Sequence, residues 1–426
     1  MSAFEDRLKS LCEPESPARA FPGLVLLAND KTGKRVYQQA VGKTSVDASK
    51  ARPLTPDSIY WVASCTKLIA AICALQVVEQ GLISLDDDVG KVCPELAHPD
   101  ILLGFGEDDK PILQKSTRPI LFRHLLTHTS GLANHFIHPD IARWWEVSGK
   151  NVADYHGNIL ELYNTPLIAE PGTQWTYSPG LDWAGVVVAR LTEEPGLGAY
   201  AEKHIWQPLG IKDAAFRQRE LRLSPAELAA RWVWMTQRDQ GKLMPAEPLY
   251  PLNPKDEWGG GALYITPAEY IKVLTSLLCN DGKLLQPSTI DKYVFEPELV
   301  EGKVGMDAQK SLLKVLATHR ARRMFSGGLP APDPDHPNGS GGAIEYQYSL
   351  LGLLNKKQGE KQWTLSWSGL PNLFWWVNPG EEICGMYASQ LLPPGDPQSL
   401  DLASLWRTTM EERFGKVTFA RTRAAS

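Results

Sequence analysis

Strand-like segments lie at both ends of this 426-residue chain, and mostly helical segments lie between them. Near the start, an apolar run at 23–28, turn residues at 29–34 and an alternating run at 35–42 predict a β-hairpin. Near the end, strands are predicted at residues 346–354, 363–367, 373–377 and 383–388. Because both ends supply strands, the pattern predicts an α/β (α+β) fold in which one lobe is built from both termini and a helical lobe is inserted into it.

The predicted organisation is one catalytic domain, residues 1–426, divided into two lobes. We expect an α/β lobe at 1–62 and 258–426 and a helical lobe at 63–257. Residues 1–20 and 400–414 have the amphipathic or apolar patterns of terminal helices. A cleft between the lobes is where a binding site is expected.

The composition argues against several classes of function. Hydrophobic residues make up 43% of the chain and charged residues 22%, and the formal net charge is −5. These values are ordinary for a globular protein and favour neither nucleic acid nor an anionic membrane as a partner. No apolar run reaches the ~18 residues of a membrane span, and the charged N-terminus lacks the apolar core of a secretory signal. A cytoplasmic protein is expected.

The six cysteines are scattered along the chain without a Cys-x-x-Cys pair. A chain of this length does not need a disulfide framework, and no zinc-ligand spacing is present. We expect reduced thiols, no metal site and no cofactor.

The strongest chemical signal is Ser64-Cys65-Thr66-Lys67, where a β-rich run gives way to an apolar helical stretch that ends near Gly81. Residues three apart on a helix lie on one face, about 5–6 Å between Cβ atoms, so Lys67 can reach the Ser64 hydroxyl. A lysine that is desolvated or faces another cation can accept a proton. The spacing therefore predicts a serine nucleophile that needs no histidine.

A plainer interpretation of Ser64 is an N-cap hydroxyl ahead of an amphipathic helix. The chain also holds a second Ser-x-x-Lys match, at Ser311 and Lys314, close to a basic run at residues 318–323. That lysine is expected to stay solvated, so we interpret the second match as a solvent-facing helix surface.

Other residues that could carry chemistry have weaker patterns. The absence of a Gly-x-Ser-x-Gly sequence argues against an α/β-hydrolase triad, so His128 is interpreted as structural. The glycines at 259–261 lack the Lys-Ser/Thr ending of a phosphate loop and predict a close backbone approach beside the cleft. Fourteen tryptophans, Trp258 among them, indicate either ordinary core packing or an aromatic substrate groove.

Two further motifs occur in order after Ser64-x-x-Lys67: Tyr177-Ser178-Pro179, and Trp367-Ser368-Gly369 on a late strand. With these motifs, the chain from about 21 to 414 resembles the serine β-lactamase and penicillin-binding-protein family in its class C-like branch. It is most similar there to family VIII carboxylesterases and to acyltransferases of statin (lovastatin) polyketides. The flanking sequences at 125–132, 181–185 and 284–287 add to the likeness.

The resemblance implies a β-lactamase/transpeptidase-like fold, an antiparallel sheet flanked by N- and C-terminal helices. It also implies that Ser64 attacks an acyl carbonyl, while Tyr177 and Lys67 relay the proton. The oxyanion would lie between the backbone N–H groups of Ser64 and Leu370.

The resemblance further implies substrate contacts from Pro179, Trp367, Ser368 and Gly369, to which we add Trp258. Pro179 and Trp367 depart from the β-lactamase pattern, which has Asn at the first position and Lys or His at the second. Without that cation a β-lactam carboxylate has no anchor, so an ester or thioester is the expected substrate.

The sequence thus predicts a cofactor-free serine acyl-transfer enzyme. An acyl group on Ser64 would pass from an ester or thioester to an alcohol of an apolar, polyketide-like small molecule, or to water. A plain carboxylesterase of the family VIII type is one alternative, and a catalytically silent binding or scaffold protein is another. The oligomeric state stays open.

Overall fold

The computed structural model describes residues 3–149, 157–318, 324–332 and 344–416. Its centre is a seven-stranded sheet in which every neighbouring pair is antiparallel. The chain forms fifteen strands in these residues, in the following order: β1 (Gly23–Asp30), β2 (Arg35–Gly42), β3 (Tyr60–Trp61), β4 (Asp100–Phe105), β5 (Pro111–Lys115), β6 (Ala214–Ala215), β7 (Thr236–Asp239), β8 (Lys242–Pro245), β9 (Tyr264–Ile265), β10 (Ile344–Tyr348), β11 (Leu353–Lys357), β12 (Thr364–Gly369), β13 (Leu373–Asn378), β14 (Ile383–Ala388) and β15 (Leu391–Leu392).

The large sheet joins the two ends of the chain, as the sequence predicts. Its strand order is β10-β11-β12-β13-β14-β1-β2, so the first strand pairs with the last long one, with Val25 opposite Ala388. The predicted hairpin is confirmed: β1 and β2 pair, and the Asp30 carboxylate accepts the backbone N–H of Thr32 and of Lys34 in the turn. β1 lies inside the sheet, and its residues from Gly23 to Asn29 are buried because both faces are covered.

Two sequence predictions need correction. The run 346–354 is not one strand, because the chain reverses between β10 and β11, where the N–H of Ser349 bonds the carbonyl of Gly352. The N-terminal helix ends at Cys12 rather than at residue 20, since Pro14 cannot continue a helix. Neither change affects the order of the sheet.

Helices cover both faces of the sheet and fill the middle of the chain. In chain order they are α1 (Ala3–Cys12), α2 (Thr66–Glu79), α3 (Phe122–Leu126), α4 (Pro139–Val147), α5 (Ile159–Leu162), α6 (Gly180–Thr192), α7 (Leu197–Ala201), α8 (Gln207–Leu209), α9 (Pro225–Arg231), α10 (Pro267–Cys279), α11 (Pro287–Thr289), α12 (Met306–Ala317) and α13 (Pro397–Phe414). α1 and α13 share a core cluster with Phe374 and Trp376 on one face of the sheet. α10 packs against β1 and β14, and it belongs to the larger core cluster.

α2 is the central helix of the molecule. Every residue from Thr66 to Val77 is buried, which explains why the sequence is apolar all round rather than along one stripe. α2 packs against α6, and the strand directly before α2 in the chain, β3, belongs to the small sheet β3-β9-β6. The division of the chain into a helical lobe at 63–257 and an α/β lobe built from the other residues stays a prediction. One large core cluster includes residues of both segments.

Candidate active site

Ser64 lies in a strained turn between β3 and α2. Residues Ala63–Cys65 form a single 3₁₀ turn, and Ala63 adopts a left-handed backbone with φ of +46°. Such a conformation costs a non-glycine residue on the order of 1–3 kcal/mol and occurs mainly at functional sites. Thr66 secures the turn, because its hydroxyl donates to the Ala63 carbonyl at 2.6 Å and accepts the N–H of Leu263 at 3.1 Å.

The Ser64 hydroxyl contacts two side chains. The hydroxyl of Tyr177 donates to Ser64 Oγ at 2.6 Å, and Lys67 Nζ donates to the same atom at 3.5 Å. α2 begins only at Thr66, and its N-cap, Cys65, forms no side-chain cap. The interpretation of Ser64 as an N-cap therefore lacks support, while the predicted reach of Lys67 is present as a long contact.

Lys67 is fixed within the site by contacts on three sides. Only 7% of the residue is exposed. Its Nζ donates to the carbonyl of Gly260 at 2.6 Å and lies 4.6 Å from the centre of the Tyr177 ring. The ammonium group therefore contacts Ser64, Tyr177 and the glycine-rich segment at once.

Tyr177 stands in the loop before α6, and its ring lies within an aromatic cluster. Ring centres lie at 4.8 Å for His128, 4.9 Å for Phe325 and 5.8 Å for Trp367. This packing leaves 6% of Tyr177 exposed and holds its hydroxyl at Ser64.

His128 lies behind Tyr177. Its Nδ1 lies 3.0 Å from the Ser178 hydroxyl oxygen and 3.2 Å from the backbone nitrogen of the same residue. Burial, together with the charge of Lys67, holds the pKa of His128 well below its usual range, so the ring is neutral. These features suit the structural role that the sequence predicts.

The end of β12 approaches the Ser64 turn at van der Waals distance. A Cβ added to Gly369 would lie 2.5 Å from the carbonyl oxygen of Val62 and 3.2 Å from the Cys65 sulfur, so the position accepts only glycine. Leu370 follows at the cleft wall. Ser368 lines the cleft as well, and its hydroxyl donates to the carbonyl of Met324.

Trp367 belongs to the aromatic wall beside Tyr177. It is 3% exposed and stacks on Phe325 with ring centres 5.2 Å apart and planes 14° from parallel. A flat aromatic pair therefore occupies the position where the β-lactamase pattern has a cation.

Within the glycine segment 259–261, Gly259 and Gly260 lie against α6, in the close approach that the sequence predicts. A Cβ on Gly259 would lie 2.3 Å from the Leu181 carbonyl oxygen, and one on Gly260 would lie 2.4 Å from Oδ2 of Asp182. The N–H of Gly260 donates to Asp182 Oδ1 at 2.9 Å. Burial raises the pKa of Asp182 to about 6, while the charge of Lys67 opposes that rise.

Sequence reasoning missed Asp182 as a site residue. The available signal was an acidic residue five positions after Tyr177, in the first turn of α6. Such a residue ordinarily marks a helix start, so its local sequence does not indicate that it lines the cleft beside Lys67.

These elements surround a cleft that opens to solvent and that, with the solvent at its mouth, measures about 780 Å³. The cleft contains Ser64, Lys67 and Tyr177, and much of its wall is aromatic: Trp61, Phe136, Tyr250, Trp258, Phe325 and Trp367. Trp258 is thus at the wall, with its indole N–H donating to the Gly157 carbonyl at 2.6 Å. Pro179 is the buried N-cap of α6 and is not among the lining residues, so its contact with substrate stays a prediction.

The model of the family described as Beta-lactamase matches residues 4–406, nearly the whole chain. The chain belongs to the beta-lactamase family. Within it, the chain is 35% identical over 403 residues to lovastatin esterase from Penicillium rubens, covering 92% of this chain and 94% of that one. It is 33% identical over 409 residues to monacolin J acid methylbutanoyltransferase from Aspergillus terreus, covering 94% of this chain and 92% of that one.

A solved structure of a similar protein shares the fold. The unliganded simvastatin synthase from Aspergillus terreus superposes with a TM-score of 0.83 at 29% identity, over 97% of this chain and 98% of that one. These relatives confirm the predicted family, fold class and enzyme class, namely acyl transfer or ester hydrolysis. Among the helices at 3–149, 157–318, 324–332 and 344–416, none is long and apolar enough to cross a bilayer.

Proposed function

We propose that this member of the beta-lactamase family forms an acyl-enzyme on Ser64 and passes the acyl group to an alcohol of a small apolar molecule. The observation that carries the proposal is the 2.6 Å contact between the Tyr177 hydroxyl and Ser64 Oγ, with Lys67 Nζ beside both. A nucleophile in contact with a base, which a third group orients, is the arrangement that covalent catalysis needs.

In the reactive form, Tyr177 carries a phenolate that the Lys67 ammonium stabilises. Ser64 Oγ attacks the acyl carbonyl, and its proton moves to the Tyr177 oxygen. The tetrahedral oxyanion accepts the backbone N–H groups of Ser64 and Leu370, each worth roughly 3 kcal/mol in such a site. Collapse breaks the bond to the leaving group, which takes the proton from Tyr177. In the second half, the acceptor hydroxyl gives its proton to Tyr177 and attacks the acyl carbon, and Ser64 leaves and recovers a proton from Tyr177.

The proposed substrates are an ester or thioester donor and a polyketide-like alcohol. Support comes from the names of two relatives, one acting on lovastatin and the other transferring a methylbutanoyl group to monacolin J acid. The aromatic wall that includes Trp61, Phe325 and Trp367 suits an apolar molecule. We also propose a cytoplasmic location, in keeping with six cysteines that are all free thiols.

The test uses p-nitrophenyl butyrate and intact-protein mass spectrometry. The wild type is expected to gain one butyryl group and to release p-nitrophenolate, whereas Ser64→Ala gains none. Ser311→Ala is the matched control, because Ser311 begins the second Ser-x-x-Lys match and its hydroxyl donates to the Trp175 carbonyl instead. A wild type without adduct or turnover would favour the binding or scaffold protein.

Ester hydrolysis is the second candidate, and the 35% identity to lovastatin esterase favours it. The two activities differ in the acceptor that resolves the acyl-enzyme. With a methylbutanoyl thioester and monacolin J acid, a transferase forms ester faster than free acid. With lovastatin alone, an esterase releases methylbutanoic acid at a rate that added alcohol does not change.

A further inference from the structure

Asp182 is a buried carboxylate that the proposed mechanism does not use. It is 4% exposed, lies in the first turn of α6 and lines the cleft. Gly260 joins it to Lys67: its N–H donates to Asp182 Oδ1 at 2.9 Å, and its carbonyl accepts a hydrogen bond from Lys67 Nζ at 2.6 Å. One residue of the glycine-rich segment thus connects the two charged side chains.

A purely structural role does not require the charge of Asp182. An asparagine oxygen could accept the Gly260 N–H equally well, without the cost of burying a charge, which is several kcal/mol per ion. A buried charge persists where a partner offsets that cost, and the cation facing Asp182 is Lys67. Lys67 is itself buried and has the matching need for a counter-charge.

We propose that Asp182 is the counter-ion and positioning residue of Lys67, and that acyl transfer requires its carboxylate to be ionised. This inference rests on the proposed acyl-Ser64 function. With Asp182 ionised, Lys67 stays an ammonium held at Gly260 and can stabilise the Tyr177 phenolate. With Asp182 neutral, the buried ammonium loses its compensation and Tyr177 loses its electrostatic support.

The titratable groups around Asp182 determine which side chain changes its charge under mildly acid conditions. Lys67 faces it from α2, Tyr163 from the segment after α5, and Tyr250 from the segment before Trp258. Burial and the nearby Asp182 raise the pKa of both phenols, which stay neutral through the neutral range. The carboxyl group, whose pKa burial raises to about 6, is thus the group that changes charge under mildly acid conditions.

The test measures the rate of Ser64 acylation by p-nitrophenyl butyrate between about pH 5 and 8, a range that spans the raised Asp182 pKa. The wild type is expected to lose activity as the pH falls through about 6. Asp182→Asn keeps the acceptor for Gly260, so it is expected to fold. The acylation rate of Asp182→Asn at pH 8 should be about 10- to 100-fold lower than that of the wild type, the scale of a misplaced catalytic group. The acid limb, which is the fall in rate as the pH drops through about 6, should disappear in this variant.

Asp256→Asn is the matched control. Asp256 belongs to the same segment as Gly260 and accepts the N–H of Ile159 at 2.7 Å, but it does not line the cleft. It should keep the wild-type limb. Asp182→Glu keeps a charge and should recover activity with a displaced limb, which tests the proposal even if Asp182→Asn does not fold.

An acid limb in Asp182→Asn at the wild-type position would overturn the proposal, whatever the absolute rate. If Asp182→Asn does not fold, an unchanged limb in Asp182→Glu would overturn it equally. Failure of the wild type to form any adduct would instead reject the acyl-enzyme, and this inference with it. The two failures are therefore distinguishable.

Discussion

The phenolic oxygen of Tyr177 lies 2.6 Å from Ser64 Oγ, although 113 residues separate the two in the chain. Packing holds the contact in place, because the Tyr177 ring lies among His128, Phe325 and Trp367. The hydroxyl of Tyr177 is therefore preorganised towards Ser64 before any substrate binds.

Replacing Tyr177 with Phe should remove the proton carrier and leave the aromatic packing intact. General acid–base groups contribute about 10²–10⁴-fold, so acylation by p-nitrophenyl butyrate is expected to slow within that range. The measurement is initial p-nitrophenolate release together with the butyryl adduct. Tyr250→Phe is the control, since Tyr250 also lines the cleft but contacts Trp61 and Trp258 rather than Ser64. A Tyr177→Phe rate close to that of the wild type would contradict the role of this phenol.

Replacing Gly369 with Ala should disturb the end of β12 and the Ser64 turn together. The new methyl group would lie 2.5 Å from the Val62 carbonyl, and overpacking of this kind costs typically about 1–3 kcal/mol. Urea unfolding should show the loss of stability, and acylation should slow because Leu370 shifts with the strand. Gly261→Ala is the control, since a Cβ there meets no atom within 4 Å. Equal stability of the two variants would show that the approach at Gly369 is not tight.

The Asp182 carboxylate should make the folded protein less stable above pH 6 than below it. Burial raises its pKa from 3.8 to about 6, so the folded state holds this proton more tightly than the unfolded state. The resulting stabilisation is fully present below about pH 4 and is lost as the pH rises through about 6. Asp182→Asn has no such titration.

Between about pH 5 and pH 7.5, therefore, the wild type should lose stability relative to Asp182→Asn, by about 1.4 kcal/mol for each tenfold change in proton affinity. This pH-dependent loss is expected whatever the absolute difference between the two proteins, because the neutral side chain also removes the counter-charge of Lys67. Urea unfolding at both pH values measures it, with Asp256→Asn as the reference. A constant difference between the two pH values would contradict the raised pKa.

Truncating Trp367 to Ala should open a cavity next to Tyr177. Loss of a buried tryptophan side chain costs about 3–5 kcal/mol, and the ring stacks on Phe325 and contacts Tyr177. The midpoint temperature of thermal unfolding should fall, and the rate of Ser64 acylation should fall as well. Trp363→Ala, at a half-buried tryptophan on which Lys356 packs, should cost about 1 kcal/mol. Similar losses in the two variants would argue against a supporting role of Trp367 for Tyr177.

The local sequence predicted elements whose patterns are self-contained. The hairpin β1–β2 and the late strands followed from apolar runs and turn residues, because strand pairing buries those runs whatever lies elsewhere. The turn between β10 and β11 has no such signature, since Leu350 and Leu351 continue the apolar run across it. The predicted α1 was too long because Pro14 ends the helix, whatever pattern the residues after it follow.

By itself the sequence determined the family, the order of its three motifs and the pairing of Ser64 with Lys67, since residues three apart at a helix start lie on one face. Tertiary structure alone decided the rest of the site. It brought Asp182 to Lys67 through Gly260, brought β12 against the Ser64 turn at Gly369, and placed Pro179 at a helix start away from the cleft lining. The reason is physical: contacts between distant segments depend on how helices and strands pack, and no local pattern of residues records that packing.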